Sequence, residues 1–287
     1  GRVPPWASFL TQRLSALARA LRVRGRPVVW TVHNLKPHDF RSKVQRLSFE
    51  TVMRDFLPLV SDVICMSSSV REAVLETYPD LADRQLHVIR HPSYVAYFAG
   101  RNGELPSETA GWRERQAEGP VLGTFGMLRR YKAVPETIEI LRTIDRPFRF
   151  LVGGEGPQAE VDAIRAAMGD DSRFHFVARR LTDAEILGLT RACGLVLFNF
   201  QSILNSGSVL AALSMGRPIL APALGAMIDL EADVGAPWVN TFNKPLTKER
   251  VAAVLDDLPT SGAPNLSAYE PDVLARALAS VYGAATG

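Results

Sequence analysis

The sequence predicts an α/β protein built from two doubly wound domains, each with a parallel sheet between layers of helices. Short apolar runs alternate with helical segments, which is the pattern of βαβ units. The alternation lapses between residues 92 and 119 and then restarts, so we expect one domain on either side of the lapse. A chain of 287 residues is long enough for two domains of average size.

The composition is that of a globular protein with a sizeable core. Hydrophobic residues make up 47% and charged residues 22% of the chain. The 33 basic and 30 acidic side chains leave a formal net charge of +3, which is too small to indicate a nucleic-acid partner. No signal peptide or apolar run of membrane-spanning length is visible, so we expect a cytoplasmic protein. Cys65 and Cys193 lie in apolar runs without metal-ligand spacing and are interpreted as reduced core thiols.

The first half of the chain contains three predicted strands. A helix with leucines along one face is expected over Phe9–Val23 and is interpreted as packing on the core. Its arginines would also suit an anionic membrane surface, which leaves peripheral membrane contact as an alternative. Ser69 and Glu72 form the pattern of a capping box before another helix. The expected strands are 27–32, 62–66 and 87–89, and a polar helix is expected over 41–57.

The second half predicts a complete doubly wound domain. Thr182 and Glu185 form a second capping-box pattern. The expected strands are 121–125, 148–152, 174–177, 195–198 and 218–220, and the main expected helices are 136–143, 158–168, 209–215, 248–258 and 273–282. We therefore divide the chain into a partial N-terminal domain at 1–98, a linker at 99–118, a C-terminal domain at 119–262 and a C-terminal helix at 263–287. Because the chain begins at Gly1 without a methionine, we expect a longer natural protein.

A basic loop follows the first strand of the second domain. It runs from Gly126 to Lys132 and includes Arg129 and Arg130. In open parallel sheets, ligands bind beyond the carboxyl ends of the strands. Arginine and lysine side chains at such a place can bind a diphosphate, and arginine can do so bidentately. A solvated basic turn is the alternative interpretation.

A second loop, Asn205-Ser206-Gly207-Ser208, leads into an apolar helix. Backbone N–H groups and the helix dipole make the start of a helix an anion site, and glycine allows close approach of a phosphate. Serine and asparagine also favour an ordinary N-cap, which is the alternative interpretation. The basic loop at the end of another strand of the same sheet favours the anion site.

A glycine-rich turn links a predicted strand to a helix in the second domain. It contains Gly153, Gly154, Glu155 and Gly156, and it does not match the dinucleotide pattern G-x-G-x-x-G. We expect it either to let a ligand approach the backbone or simply to turn the chain.

Two histidines and an aspartate follow the first strand of the first domain. These residues are His33, His38 and Asp39. Imidazole and carboxylate groups at the carboxyl end of a sheet suit acid–base chemistry, so we interpret the cluster as catalytic.

Several segments together resemble one group of enzymes. The segments are 31–39, 128–132, 205–214, 217–222 and 234–239. Their order and spacing are similar to those of glycosyltransferases with two facing Rossmann-like domains, the GT-B fold. Within that fold, the chain most resembles bacterial exopolysaccharide β-mannosyltransferases of the xanthan type, which use GDP-mannose.

The resemblance implies transfer of mannose from GDP-mannose to a lipid-linked glycan in exopolysaccharide or cell-envelope synthesis. Arg129, Lys132 and the Ser206–Ser208 loop would hold the diphosphate, with Asn205, Gly126, Arg130 and the Gly153–Glu155 turn beside it. Asp39 is the first candidate for the base that deprotonates the acceptor, His38 is the second, and His33 would orient the sugar. Fixed cations would replace a metal at the leaving group, so no metal or other cofactor is expected.

The chain differs from the usual GT-B pattern in two features. Common retaining GT-B enzymes carry two glutamates eight residues apart, and the aligned positions here are Ile203 and Ala211. Their absence favours an inverting enzyme. A GT-B N-terminal domain also begins with further strands, so we expect the first domain to be incomplete. The alternatives are a sugar-nucleotide 2-epimerase and a nucleotide-binding module without catalytic activity.

Overall fold

The computed structural model describes residues 13, 16, 17, 19–21, 23–37, 43–110, 112 and 119–286. The strands are β1 (Val29–Thr31), β2 (Asp62–Cys65), β3 (Gln85–Val88), β4 (Val121–Phe125), β5 (Arg149–Gly153), β6 (Phe174–Val177), β7 (Leu195–Leu197), β8 (Ile219–Pro222) and β9 (Val239–Phe242). The helices are α1 (Lys43–Phe56), α2 (Ser68–Thr77), α3 (Val95–Phe98), α4 (Val134–Arg142), α5 (Gln158–Met168), α6 (Asp183–Ala192), α7 (Gly207–Ser214), α8 (Ala226–Val234), α9 (Lys248–Asp256) and α10 (Pro271–Thr286).

The chain divides into two compact units. Unit 1 comprises residues 1–91 and 271–287, and unit 2 comprises residues 92–270. The division differs from the sequence-based boundaries after residues 98, 118 and 262. Residues of the expected linker hydrogen-bond within unit 2, where the Glu104 backbone N–H donates to the Ala184 carbonyl over 2.9 Å. The expected linker is thus part of the second unit, and α10 is part of the first.

Unit 1 has a parallel sheet in the order β1-β2-β3. Its apolar cluster joins Ile64 of β2 and Ile89, which directly follows β3, to Leu274 and Val281 of α10. The last helix therefore stabilises the sheet formed by the start of the chain. At the N-terminal helical segment, Leu17 is 56% exposed and Leu21 is half-buried, so Leu17 does not fit the expected core-packing face.

The capping box expected at Ser69 and Glu72 is wrong. Helix α2 instead begins after Ser67, whose extended backbone lets Oγ accept from the Val70 N–H over 3.1 Å. The sequence has three successive serines at 67–69, and β2 ends only two residues earlier, so the first serine already lies at the turn into the helix. The box at Thr182 and Glu185 is confirmed, with both reciprocal hydrogen bonds present.

Unit 2 has a six-stranded parallel sheet in the order β6-β5-β4-β7-β8-β9. Alternate strand residues enter apolar clusters on the two faces: Leu151 joins one cluster, and Phe150 and Val152 join the other. Burial on both faces is typical of parallel sheets covered by helices. The edge strand β9 was not predicted, because its polar Asn240 and Thr241 interrupt the apolar pattern. Within the described part of the chain, every helix is too short or too polar to span a bilayer.

Candidate functional site

The sheet of unit 2 contains a topological switch point between β4 and β7. From β4 the chain builds outward through β5 and β6, and it then returns to place β7 on the other side of β4. In open α/β sheets, the crevice beyond the carboxyl ends of the two strands at such a reversal is where ligands bind. The basic loop follows β4 and the loop ending at Ser208 follows β7. The two loops that the sequence predicts as parts of an anion site therefore both lie at this switch point.

Backbone hydrogen bonds tie the basic loop to the glycine-rich turn after β5. Gly126 N–H donates to the Gly153 carbonyl over 2.9 Å, and Leu128 N–H donates to the Glu155 carbonyl over 2.7 Å. The loop is also tied to the segment after β7, where Gln201 N–H donates to the Tyr131 carbonyl over 2.6 Å. The three loops thus form one connected surface at the end of the sheet.

The glycines of this surface serve close packing of backbone on backbone. Gly126 and Gly154 have φ values of 99° and 152°. A β-carbon on Gly154 would overlap the carbonyl oxygen of Gly126, and one on Gly156 would lie 2.5 Å from the carbonyl oxygen of Leu128. The glycine-rich turn therefore positions the basic loop, whether or not it also contacts a ligand. Glu155 itself is exposed.

Lys132 is the buried cation of the site. It ends a 3-10 turn, Arg130–Lys132, and is followed by Ala133 in the left-handed conformation at φ 48°. Its side chain is only 9% exposed, and its ammonium group lies 3.4 Å from the carbonyl oxygen of Phe125, the last residue of β4. Among the described residues, no carboxylate forms an ion pair with it.

Burial lowers the pKa of Lys132 from 10.5 to about 8, and the nearby charge of Arg129 adds to this effect. Both causes disfavour the charged form of the ammonium group. A polyanion bound beside Lys132 would attract the ammonium group, offset both effects and raise the pKa again. Arg129 and Arg130 are exposed in this loop, where their guanidinium groups are accessible to solvent.

The start of α7 combines an N-cap with open backbone donors. Ser206 has the extended conformation of an N-cap, and its Oγ accepts from the Val209 N–H over 3.4 Å. The capping interpretation is thus correct for Ser206, and it leaves the backbone N–H groups of Gly207 and Ser208 at the positive end of the helix. Asn205 is half-buried and Ser208 is exposed.

In unit 1, the structure describes one of the three predicted acid–base residues. His33 follows β1 after one intervening residue and is exposed. His38 and Asp39 lie outside the described residues. The loop is anchored at Leu35, whose carbonyl accepts from the Tyr78 hydroxyl over 2.5 Å. Within the described residues, no three His, Cys, Asp or Glu side chains are grouped as a metal site would require.

Sequence reasoning missed the aromatic residues that hold the basic loop against β7. The rings of Tyr131 and Phe200 lie 6.0 Å apart, and Phe200 stacks on Phe198 at 5.2 Å. The only sequence signal is the run Phe198-Asn199-Phe200 directly after a strand, which is also what a buried strand end would show. These contacts position the two candidate loops relative to each other.

Comparisons with known proteins agree with the resemblance seen in the sequence. A model of Glycosyltransferase Family 4 matches residues 7–92. The chain is also 27% identical over 258 residues to the GDP-mannose:glycolipid 4-beta-D-mannosyltransferase of Xanthomonas campestris pv. campestris. That alignment covers 88% of this chain and 66% of the relative, so the chain spans about 66% of the length of the curated relatives it matches.

Solved structures resemble the chain over most of its length. The Anabaena protein HepE in complex with UDP-glucose is 18% identical, with a TM-score of 0.63 over 94% of this chain and 77% of that one. Sucrose-phosphate synthase from Thermosynechococcus elongatus is 16% identical, with a TM-score of 0.65 over 92% and 69%. A trehalose-phosphate synthase from Burkholderia xenovorans is 11% identical, with a TM-score of 0.69 over 98% and 76%. These similarities confirm the predicted GT-B fold.

Proposed function

We propose that this GT-B chain is a glycosyltransferase and that unit 2 binds its sugar-nucleotide donor. The donor's diphosphate would lie between the Lys132 ammonium group and the N-terminus of α7. The observation that carries the proposal is the position of Lys132, a buried cation without an ion-pair partner among the described residues, at the switch point of the sheet.

Electrostatics give the proposed site its chemistry. An unpaired buried charge is costly, and an anion that enters the crevice would compensate it. Arg129 and Arg130 would add exposed positive charge at the rim, and the N–H groups of Gly207 and Ser208 would add the partial charge of the helix end. The same groups would stabilise the negative charge that develops on the diphosphate as the glycosidic bond breaks. With these fixed cations, we propose that the leaving group needs no metal ion.

The curated relatives support a specific donor and acceptor. They are named GDP-mannose:glycolipid 4-beta-D-mannosyltransferases, so we propose GDP-mannose as the donor and a lipid-linked glycan as the acceptor. This name describes transfer, which favours a transferase over the 2-epimerase alternative. We propose that a lipid-linked acceptor places the chain at the cytoplasmic face of a membrane, with peripheral contact through the basic N-terminal segment 9–23.

An inverting reaction needs a base that takes the proton from the acceptor hydroxyl. We propose Asp39 for this role, with His38 as the second candidate and His33 orienting the sugar. Ile203 and Ala211 stand where common retaining enzymes carry glutamates, which supports inversion. The Gly126 backbone, Asn205 and the Gly153–Glu155 turn would complete the donor pocket around the diphosphate and the adjoining sugar or nucleoside.

A comparison of nucleotide sugars tests the donor proposal. Sugars of GDP, UDP, ADP and dTDP would be titrated into the full chain and followed by thermal shift, because a ligand of the native state raises the unfolding temperature. We expect GDP-mannose to give the largest shift. An absence of any shift would contradict the donor site.

Turnover tests the transfer itself. We expect GDP to be released from GDP-mannose only when a glycolipid acceptor is added, and we expect Asp39→Asn to stop release while binding persists. Release without acceptor would favour the epimerase. Binding without release, with acceptors that the Xanthomonas relative uses, would favour a non-catalytic module.

A further inference from the structure

Unit 2 contains a cavity that lies away from the candidate donor site. Its volume is about 140 Å³, and it is lined by Arg149, Trp112 and Thr109 together with aliphatic side chains that include Leu105, Leu151 and Leu189. Cavities of about this size can hold a ligand as large as benzene. The cavity is therefore large enough for a small organic molecule.

The cavity lies towards the amino ends of the strands, whereas the basic loop follows the carboxyl end of β4. Two of its lining residues, Val121 and Arg149, are the first residues of β4 and β5. The basic loop and the glycine-rich turn follow the carboxyl ends of the same two strands. The first and last residues of a five-residue strand are about 13 Å apart, so we expect a ligand held at Val121 and Arg149 to leave the nucleotide site free.

Two polar side chains of the cavity, Arg149 and Trp112, carry hydrogen-bond donors that lack acceptors. Arg149 Nε and Nη1 and Trp112 Nε1 are shielded from solvent and have no hydrogen-bond partner among the described residues. Trp112 is only 4% exposed, and the Arg149 guanidinium carbon lies 5.0 Å from the centroid of its ring. The ring also stacks on His175 at 5.4 Å between centroids, which fixes its orientation. Buried donors without acceptors are rare in native proteins and point to a missing ion, water or ligand.

The nature of the missing group follows from charge and shape. Arg149 is half-buried, and no carboxylate among the described residues forms an ion pair with it. An anion would therefore pair with its shielded nitrogens better than a neutral water does. The leucines that line the remaining wall offer no polar side-chain atoms, and they favour an apolar body. Thr109 already donates its hydroxyl hydrogen to the Pro106 carbonyl over 2.7 Å.

We propose that this cavity binds a small organic monocarboxylate, with its carboxylate at Arg149 and Trp112 and its apolar body against the leucines. The ligand accepts hydrogen bonds from the guanidinium group and the indole N–H. It binds independently of the nucleotide, because the two sites lie towards opposite ends of the strands.

Benzoate is a suitable probe because it combines a carboxylate with a body of benzene size. Calorimetric titration of the full chain would compare benzoate with benzamide, its neutral counterpart of the same shape, and with inorganic phosphate. We expect benzoate to bind at least tenfold more tightly than benzamide, since a hydrogen bond to a charged group contributes about tenfold or more in affinity. We expect saturating GDP to leave benzoate binding unchanged.

Two variants assign the binding to the cavity. Arg149→Met keeps the length of the side chain and removes its charge, and we expect it to weaken benzoate binding by about tenfold to a hundredfold. Trp112→Phe keeps an aromatic ring over Arg149 and removes the indole donor, and we expect a loss of about threefold to tenfold. The matched control is Arg165→Met, which changes an exposed arginine on α5 and should leave the affinity unchanged.

Several results would overturn the proposal. Equal binding of benzoate and benzamide would show that the charge is not recognised. Phosphate binding as tight as that of benzoate would show that the leucines do not contribute to recognition of the ligand. If Arg149→Met fails to fold, the Trp112→Phe variant tests whether benzoate binds in the cavity. An unchanged benzoate affinity in folded Trp112→Phe would then show that benzoate binds elsewhere. No detectable benzoate binding to the unmodified chain would also contradict it.

Discussion

At the scale of single residues, Lys132 combines a positive charge with near-complete burial. Among the described residues, its ammonium group donates a hydrogen bond to the Phe125 carbonyl. We expect Lys132→Met to weaken GDP binding by about tenfold to a hundredfold, because a charged hydrogen bond to the diphosphate is lost. We expect the free energy of unfolding to stay equal or to increase, because an apolar side chain replaces an unpaired buried charge. Calorimetric titration and urea unfolding would measure the two effects.

The control for this variant is Lys248→Met, which removes an exposed lysine at the start of α9. It should change neither quantity by a measurable amount. If both variants weakened GDP binding equally, the effect would come from overall charge, and the specific role of Lys132 would be wrong.

The lowered pKa of Lys132 predicts a pH dependence of stability. Its pKa is about 8 in the folded chain, against 10.5 for an ordinary lysine in an unfolded chain. Below pH 8 both states hold the proton, and the folded state bears the full cost of the buried charge. Between about pH 8 and 10.5 the unfolded state binds more protons, so this lysine's contribution to the free energy of unfolding rises with pH. The rise amounts to about 3 kcal/mol over the whole window.

Urea unfolding at a series of pH values would measure this contribution as the difference between the unmodified chain and Lys132→Met. The difference should move in favour of the unmodified chain as the pH rises through the window. A difference that stays constant would mean that Lys132 titrates as an ordinary lysine. Excess GDP should shift the start of the rise to higher pH, because the diphosphate favours the charged ammonium group.

The sequence predicted that Lys132 lies in a loop directly after a strand, but it did not predict that the side chain is buried. Its position was predictable because polar loops after parallel strands meet at one edge of a sheet. Its burial depends on Phe125, Gly126 and the neighbouring loops, which are close only in the folded chain. The pKa of a lysine follows from this environment, so sequence alone could not give it.

At the scale of elements, the connection between the loops after β4 and β5 depends on Gly154. A β-carbon at this position would overlap the carbonyl oxygen of Gly126, and the backbone φ of 152° also disfavours other residues. We expect Gly154→Ala to lower the free energy of unfolding of unit 2 and to weaken GDP binding by displacing the basic loop. The matched control is Gly216→Ala, at φ 69° with no atom near the added carbon.

The control should show the cost of the backbone conformation alone, which is about 1 to 2 kcal/mol. Gly154→Ala should cost about 1 to 3 kcal/mol more, because of the steric overlap and because φ 152° lies further from any conformation that alanine favours. Urea unfolding gives these values, and titration gives the GDP affinity of each variant. Equal losses of stability with unchanged GDP affinity would mean that the overlap is relieved without moving the basic loop.

The start of α7 allows capping to be separated from anion binding. Ser206 caps α7 and Thr247 caps α9, and each side chain accepts from a backbone N–H three residues further on. Replacing either by alanine should cost about 1 kcal/mol of stability. Only Ser206→Ala should also weaken GDP binding, because α7 begins at the switch point. Thermal unfolding and GDP titration of both variants would check this, and a similar change in GDP affinity for both would argue against the site.

Elements with strong local signals were predicted closely, and weak or repeated signals caused the errors. Helix α5 has the expected bounds, since its apolar positions recur at helical spacing up to Gly169. Strand β9 was missed because Asn240 and Thr241 resemble a loop. The Asn240 amide is paired with the Pro237 carbonyl over 2.9 Å, a contact that depends on the folded chain. The serine run at 67–69 allowed several helix starts, and the end of β2 decided between them.

At the scale of the whole molecule, the GT-B fold was predictable, but the membership of the last helix was not. Two series of alternating strands and helices indicate two doubly wound domains, and this pattern is local in sequence. Helix α10 follows unit 2 along the chain but packs in unit 1. Its amphipathic pattern would suit either unit, so only the three-dimensional packing on Ile64 and Ile89 assigns it.

This arrangement predicts that α10 can be weakened without loss of nucleotide binding. Leu274 is 7% exposed within the apolar cluster of unit 1, whereas its neighbour Val273 is 39% exposed. Leu274→Ala should lower the free energy of unfolding of unit 1 by about 2 to 5 kcal/mol, because truncation leaves a cavity. Val273→Ala should change it by about 0.5 kcal/mol or less. Scanning calorimetry would measure both, and titration should show unchanged GDP affinity, because the proposed donor site belongs to unit 2. A GDP affinity that falls in proportion to the loss of stability would show that the donor site depends on unit 1.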